Sequence, residues 1–70
     1  MKYPAVHAIY KHFKGNSYYV ICVANHTETG EPLVVYQNLG MPFNIYCRPV
    51  EMFMGMTEEG KPRFELVKKL

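Results

Sequence analysis

The residues able to do chemistry in this 70-residue chain are few, and their spacing favours holding a ligand over transforming one. Arg48 carries a planar guanidinium that can clamp an anion, or pair with Glu28 or Glu51 and pin a local turn. Pairing is the favoured reading, because a partly buried Arg usually has a carboxylate beside it. His26 can serve as an acid–base group or ligand contact, but a His that opens a loop more often bonds nearby backbone. His12 and Lys14 flank the Gly15-Asn16 turn and read as solvated, with contact to an anion as the alternative. Ser17 follows that turn without a recognisable elbow, Cys22 lies in an apolar run, and Thr27-Glu28 belongs to no triad order, so no activated nucleophile is seen. Glu58 and Glu59 are adjacent and point apart in a turn or strand instead of flanking one substrate. An enzyme is not expected.

Cys22 and Cys47 read as small hydrophobes within strands. Neither forms a Cys-x-x-Cys pair or stands at metal-site spacing from a His, so no metal and no cofactor are expected. A disulfide between them is not favoured and would instead indicate an oxidising compartment. Eight Lys and Arg against six acids leave a formal charge of +2, too small by itself for a strongly basic nucleic-acid footprint. Its distribution is uneven: residues 1–27 hold Lys2, Lys11, Lys14 and all three His without an acid, and the six acids, all Glu, lie from Glu28 onward. Pro4, His7, Tyr10, Lys11 and His12 break the apolar stretch a signal peptide needs, and no run approaches a membrane span. A cytoplasmic protein without a membrane role is expected.

Positioning these side chains falls to a small scaffold. At 49% hydrophobic and 20% charged residues the chain suits one globular domain, residues 1–70, which at this size buries only about 60% of its unfolded surface. Turn signals at Gly15-Asn16, Gly30 with Pro32, Gly40 with Pro42 and Gly60 with Pro62 punctuate five strand candidates: residues 5–12, 17–25, 33–38, 43–48 and 63–67. The second is apolar at almost every position, which predicts cover on both faces and a sheet curled on itself. Strict alternation would set Tyr18, Val20, Cys22 and Ala24 on one face and Tyr19, Ile21, Val23 and Asn25 on the other. Arg48-Pro49 switches the chain to one helical turn over 49–54, ended by Gly55, with Glu51 in its first turn and Phe53 with at least one Met docking on the sheet. Remaining methionines, if exposed, form a contact patch. Lys68, Lys69 and Leu70 are expected to fray.

Several blocks carry a resemblance: Tyr10-Lys11-His12-Phe13-Lys14-Gly15-Asn16, Ala24-Asn25-His26-Thr27-Glu28-Thr29, Leu33-Val34-Val35-Tyr36, Arg48-Pro49-Val50-Glu51-Met52-Phe53 and Gly60-Lys61-Pro62-Arg63-Phe64. In this order and with these gaps the chain resembles the bacterial domain-of-unknown-function family 1653 across nearly its whole length. The resemblance implies a small SH3-like β-barrel and no assigned activity. Two departures stand out: Tyr46 occupies the place, two residues before Arg48-Pro49, where members commonly carry tryptophan, and residues 40–44 differ from the usual loop.

The chain therefore reads as a mainly β, SH3-like barrel of about five antiparallel strands with one short helical turn. Tyr10, His12, His26, Tyr36, Arg48 and Glu51 would form one rim, taking a protein, a peptide or a small anionic ligand. Tyr36, mid-strand among apolar neighbours, doubles as a core aromatic. The alternative is a nucleic-acid accessory module with Lys2, Lys11, Lys14 and Arg63 on phosphates and aromatic rings on bases. Monomer or weak homodimer is expected.

Overall fold

The punctuating glycines Gly15, at φ 109°, and Gly30, at φ 74°, adopt positive-φ backbone, a conformation that costs other residues a steric clash. These turns let a computed structural model, describing residues 2–70, fold its strands as a meander. In chain order the elements are β1 (Ala8–His12), β2 (Ser17–Asn25), β3 (Pro32–Asn38), β4 (Ile45–Pro49), α1 (Val50–Phe53) and β5 (Phe64–Lys69). All pairings are antiparallel, and the single sheet runs β4-β3-β2-β1-β5.

Element boundaries moved where backbone sterics required it. His7 at φ 52° and Phe43 at φ 60° cannot lie in an extended strand, so β1 starts at Ala8 and β4 at Ile45, later than the apolar pattern suggested. The end expected to fray is instead paired: Lys68 lies opposite Ile9 and Lys69 opposite Ala8, and the Leu70 N–H donates to the His7 carbonyl at 2.9 Å. Pro49 closes β4 and caps α1 from outside (φ −52°, ψ 138°), one position before the helical turn.

The inner face of the sheet carries the core. Ala8, Tyr10, Val20, Val34, Tyr36 and Phe64 are buried there, and Val50 and Phe53 of α1 close over them. Phe53, fully buried, stacks on Phe64 with ring centres 4.0 Å apart and meets Tyr10 and Tyr36 edge-on at 5.4 Å. A four-residue helix has no stability of its own, so this docking is what holds α1. Met54 packs against the same cluster, while Met52 and Met56 are exposed.

Two expectations need correction. The first is the closed barrel. The ladder ends at β4 on one side and β5 on the other, with no pairing between them among the described residues. The sheet is nonetheless strongly curved: β3 and β5 stand three strand spacings apart, roughly 14 Å in a flat sheet, yet the rings of Tyr36 and Phe64 lie 5.6 Å apart.

The second is the two-sided cover of β2. Only Val20 is buried along it, and Cys22, expected inside, is exposed. A bulge between Val20 and Cys22 interrupts the alternation. Val20 faces Tyr36 and Val23 faces buried Val34, whereas Cys22 and then Cys47 on β4 both stand opposite Val35 on the uncovered face. Tyr18, Val20 and Val23 therefore share the inner face, and Cys22 and Ala24 move to the outer one. The apolar run reflects β-branched and aromatic strand preference and not a second covering layer.

Candidate functional site

Every second residue of a strand reaches the inner face, and at one end of the sheet this rule collects aromatic rings and one cation. His12 ends β1, Tyr18 is the second residue of β2, Tyr36 lies in β3, Tyr46 and Arg48 lie in β4, and Phe64 opens β5. Ring centres are 4.8 Å apart for His12 and Phe64, 5.7 Å for Tyr18 and Phe64, 5.2 Å for Tyr18 and Tyr36, and 5.8 Å for Tyr36 and Tyr46. Tyr46 is 42% exposed and its hydroxyl accepts from Asn44 Nδ2 at 3.3 Å, so its ring is fixed at the open margin. The guanidinium of Arg48 stands 5.8 Å over the Phe64 ring, a cation–π distance.

Arg48 is not paired as anticipated. Glu28 and Glu51 are both exposed, and neither forms an ion pair with Arg48 among the described residues. Half-buried against an aromatic face, the guanidinium keeps its donor fork available. Arg63 approaches from the segment before β5, its N–H donating to the Gly55 carbonyl and its carbonyl accepting from the Phe13 N–H, both at 3.0 Å. Its Nε is buried without a hydrogen-bond partner. The His12 imidazole is held below the ordinary histidine range, first by loss of solvent and then by the positive charges of Arg48, Lys14 and Arg63. Arg48 over Phe64 and Lys14 over Phe13 each flank a ring that neighbours His12, with centres 4.8 and 4.5 Å away. With only neutral aromatics between them, the cluster is electrostatically short of an anion.

The six-residue rim divides. His12, Tyr36 and Arg48 come together. Tyr10 is buried, with its hydroxyl accepting from the Ala5 N–H at 2.9 Å, and belongs to the core. His26 lies beyond the far end of β2, eight residues from Tyr18 and thus roughly 26 Å away along the strand; its Nδ1 accepts from the Glu28 and Thr29 N–H groups at 3.1 and 3.4 Å, the backbone-bonding role anticipated for it. Glu51 points to solvent from α1. Tyr18 and Phe64 were not among the expected rim residues, although alternation already sets Tyr18 on the face of Val20 and Phe64 on that of Leu66.

The nucleic-acid set is also dispersed. Lys11 lies opposite Glu65 in the ladder, and Lys2 is exposed near the start of the chain. Lys14 stands over the half-exposed Phe13 ring at 5.8 Å, and the Phe13 N–H donates to the Arg63 carbonyl. A hollow of about 570 Å³ opens there between Phe13, Thr57, Glu58, Glu59, Lys61 and Arg63. Its walls mix both charge signs on an exposed turn, so it is a poorer anion site than the aromatic shelf, where Arg48 has no carboxylate partner.

A family model described as "Protein of unknown function (DUF1653)" matches residues 8–66, which include β1 to β4, α1 and the start of β5. The chain belongs to the DUF1653 family. A crystal structure of a DUF1653 protein from Bordetella bronchiseptica is similar to it with a TM-score of 0.78 and 29% identity, over 90% of this chain and 87% of that one. No curated protein matches the chain. DUF1653 membership thus accounts for the mainly β architecture, and the family description assigns no activity. Among the described residues, no helix is long and apolar enough to cross a membrane.

Proposed function

We propose that this DUF1653 domain is a non-catalytic binding module whose inner-face shelf of His12, Tyr18, Tyr46, Arg48 and Phe64 takes an anionic group attached to a flat or apolar body, as in a protein, a peptide or a small ligand. The observation that carries the reading is Arg48: a half-buried guanidinium over the Phe64 ring with no carboxylate partner. Tyr46 and Tyr18 supply contact area, Arg48 orients the anion, and Arg63 and Lys14 add field. We further read the scaffold as an SH3-like barrel left unzipped between β4 and β5, in a monomeric or weakly dimeric protein. Two free, exposed thiols suit a reducing cytoplasm.

The test is a titration of the labelled protein with N-acetyltyrosine, which joins a carboxylate to an aromatic ring, followed by amide chemical shifts. Shifts should centre on His12, Tyr46 and Arg48, and Arg48→Ala should weaken binding by roughly tenfold or more, the scale of a lost charge-assisted bond. A loss of fold in that variant, or binding unaffected by it, sinks the assignment. A second reading, single-stranded nucleic acid, draws on Lys14 over exposed Phe13; an oligonucleotide that binds with steep salt dependence where N-acetyltyrosine does not would select it.

A further inference from the structure

The two edges of the sheet are chemically unlike. β5 carries Glu65, Lys68 and Lys69 along its free side, the charges that deter pairing with another strand. β4 offers Ile45-Tyr46-Cys47 without a charge, all three exposed.

The direction of the β4 backbone groups follows from one hydrogen bond. The Asn38 N–H donates to the Asn44 carbonyl at 2.9 Å, which makes Asn38 and Asn44 a bonded pair. Bonded and non-bonded pairs alternate along an antiparallel ladder. Tyr36 with Tyr46 and Val34 with Arg48 are therefore bonded, whereas Gln37 with Ile45, Val35 with Cys47 and Leu33 with Pro49 are not. Pro49 agrees, since it has no N–H to give and fits only the non-bonded class. The N–H and C=O groups of Ile45 and Cys47 thus point away from β3, toward the open edge.

Side chains beside that edge differ by face. Tyr46 and the unpaired Arg48 project on the inner face, and Ile45 and Cys47 on the outer one. A strand laid along β4 would need acidic residues on its inner side, to meet Arg48, and apolar residues on its outer side, to cover Ile45. Resting on the anion-binding shelf proposed above, we propose that the ligand of this domain is an extended peptide alternating acidic and apolar residues, which adds to β4 as a sixth strand. Backbone bonds to Ile45 and Cys47 supply affinity, and Arg48 supplies the choice of acid, the usual division in strand addition.

The experiment uses a capped heptapeptide alternating valine and glutamate, a matched peptide with lysine in place of glutamate, and amide hydrogen exchange of the full chain. Expected are slowed exchange at the Ile45 and Cys47 N–H groups with the glutamate peptide and roughly tenfold weaker binding of the lysine peptide. Arg48→Ala should abolish that preference. Cys47→Pro removes an edge-facing N–H without touching the bonds to β3, so it should lose the peptide while Val20 and Val34 keep their shifts; should it unfold, Ile45→Lys is the replacement and should also lose the peptide. Unslowed exchange at Ile45 and Cys47 overturns the proposal, as does retained binding in the folded edge variant. Concentration-dependent slowing without peptide also overturns it, naming a second copy as the occupant. If N-acetyltyrosine still shifts His12 and Tyr46 while the peptide leaves the edge unprotected, strand addition fails and the shelf stands; if neither ligand acts, both fail.

Discussion

His12 is the residue through which the shelf can be read in solution. Its folded pKa lies below the ordinary value because solvent is lost around the ring and because Arg48, Lys14 and Arg63 repel its proton. Over the interval between the folded and unfolded values, the unfolded chain binds more protons, so stability there rises with pH. The contribution is complete above the unfolded value of about 6.5 and is lost as pH falls through the folded one. A proton titration of the His12 ring should therefore give a midpoint below that of an unfolded peptide. In Arg48→Ala the midpoint should move back upward, since the guanidinium that repels the proton is gone, and saturation with N-acetyltyrosine should move it the same way by neutralising that charge. A midpoint indifferent to both changes would mean that Arg48 is not beside the ring. His26 offers the contrast: its ring bonds its own loop beyond the far end of β2 and takes no part in the shelf.

At the scale of elements, α1 and the bulge in β2 decide what faces the shelf. Removing the Phe53 ring by Phe53→Ala deletes the stack on Phe64 and the edge contacts to Tyr10 and Tyr36. Such a truncation costs about 3–5 kcal/mol, against a total of roughly 4–10 kcal/mol for a chain of this length. Urea unfolding should show a midpoint reduced by at least a third, with Phe53→Leu less affected; an unchanged midpoint would show that α1 does not hold the core. Much of this layer was legible in the chain. Gly15 and Gly30 marked left-handed turns, Arg48-Pro49 marked the strand-to-helix switch, and Phe53 followed from the need to plug a small sheet. The face assignment of β2 was not legible, because a bulge at Ile21 depends on the partner strand and leaves no mark on a run of uniformly apolar residues. Alternation puts Tyr18 with Val20 and Phe64 with Leu66, but the meeting of Tyr18 and Phe64 across two strand spacings is set by curvature, which the sequence does not display. The free state of Arg48 was equally hidden, since Glu28 and Glu51 are near in sequence order of elements yet exposed in space.

The whole molecule is a single curved layer, and this makes its outer face a second source of evidence about register. Cys22 and Cys47 both stand opposite Val35, one on each neighbouring strand. Two strand spacings separate them, about 9.5 Å between backbones, whereas a disulfide needs roughly 4.4–6.8 Å. No rotamer change bridges that gap, and a shift of either strand by one residue would carry its thiol to the inner face. The native protein should therefore present two thiols per chain to Ellman's reagent without denaturant, and mild oxidation at low protein concentration should produce no intramolecular disulfide by mass. A single reactive thiol would mean that one cysteine is covered, as loss of the bulge at Ile21 would do by turning Cys22 inward, and a rapid internal bridge would mean that β3 does not separate β2 from β4. If Cys47 is the residue involved, Arg48 is displaced from the position over Phe64 on which the shelf depends, because the two are consecutive residues of one strand and cannot move independently.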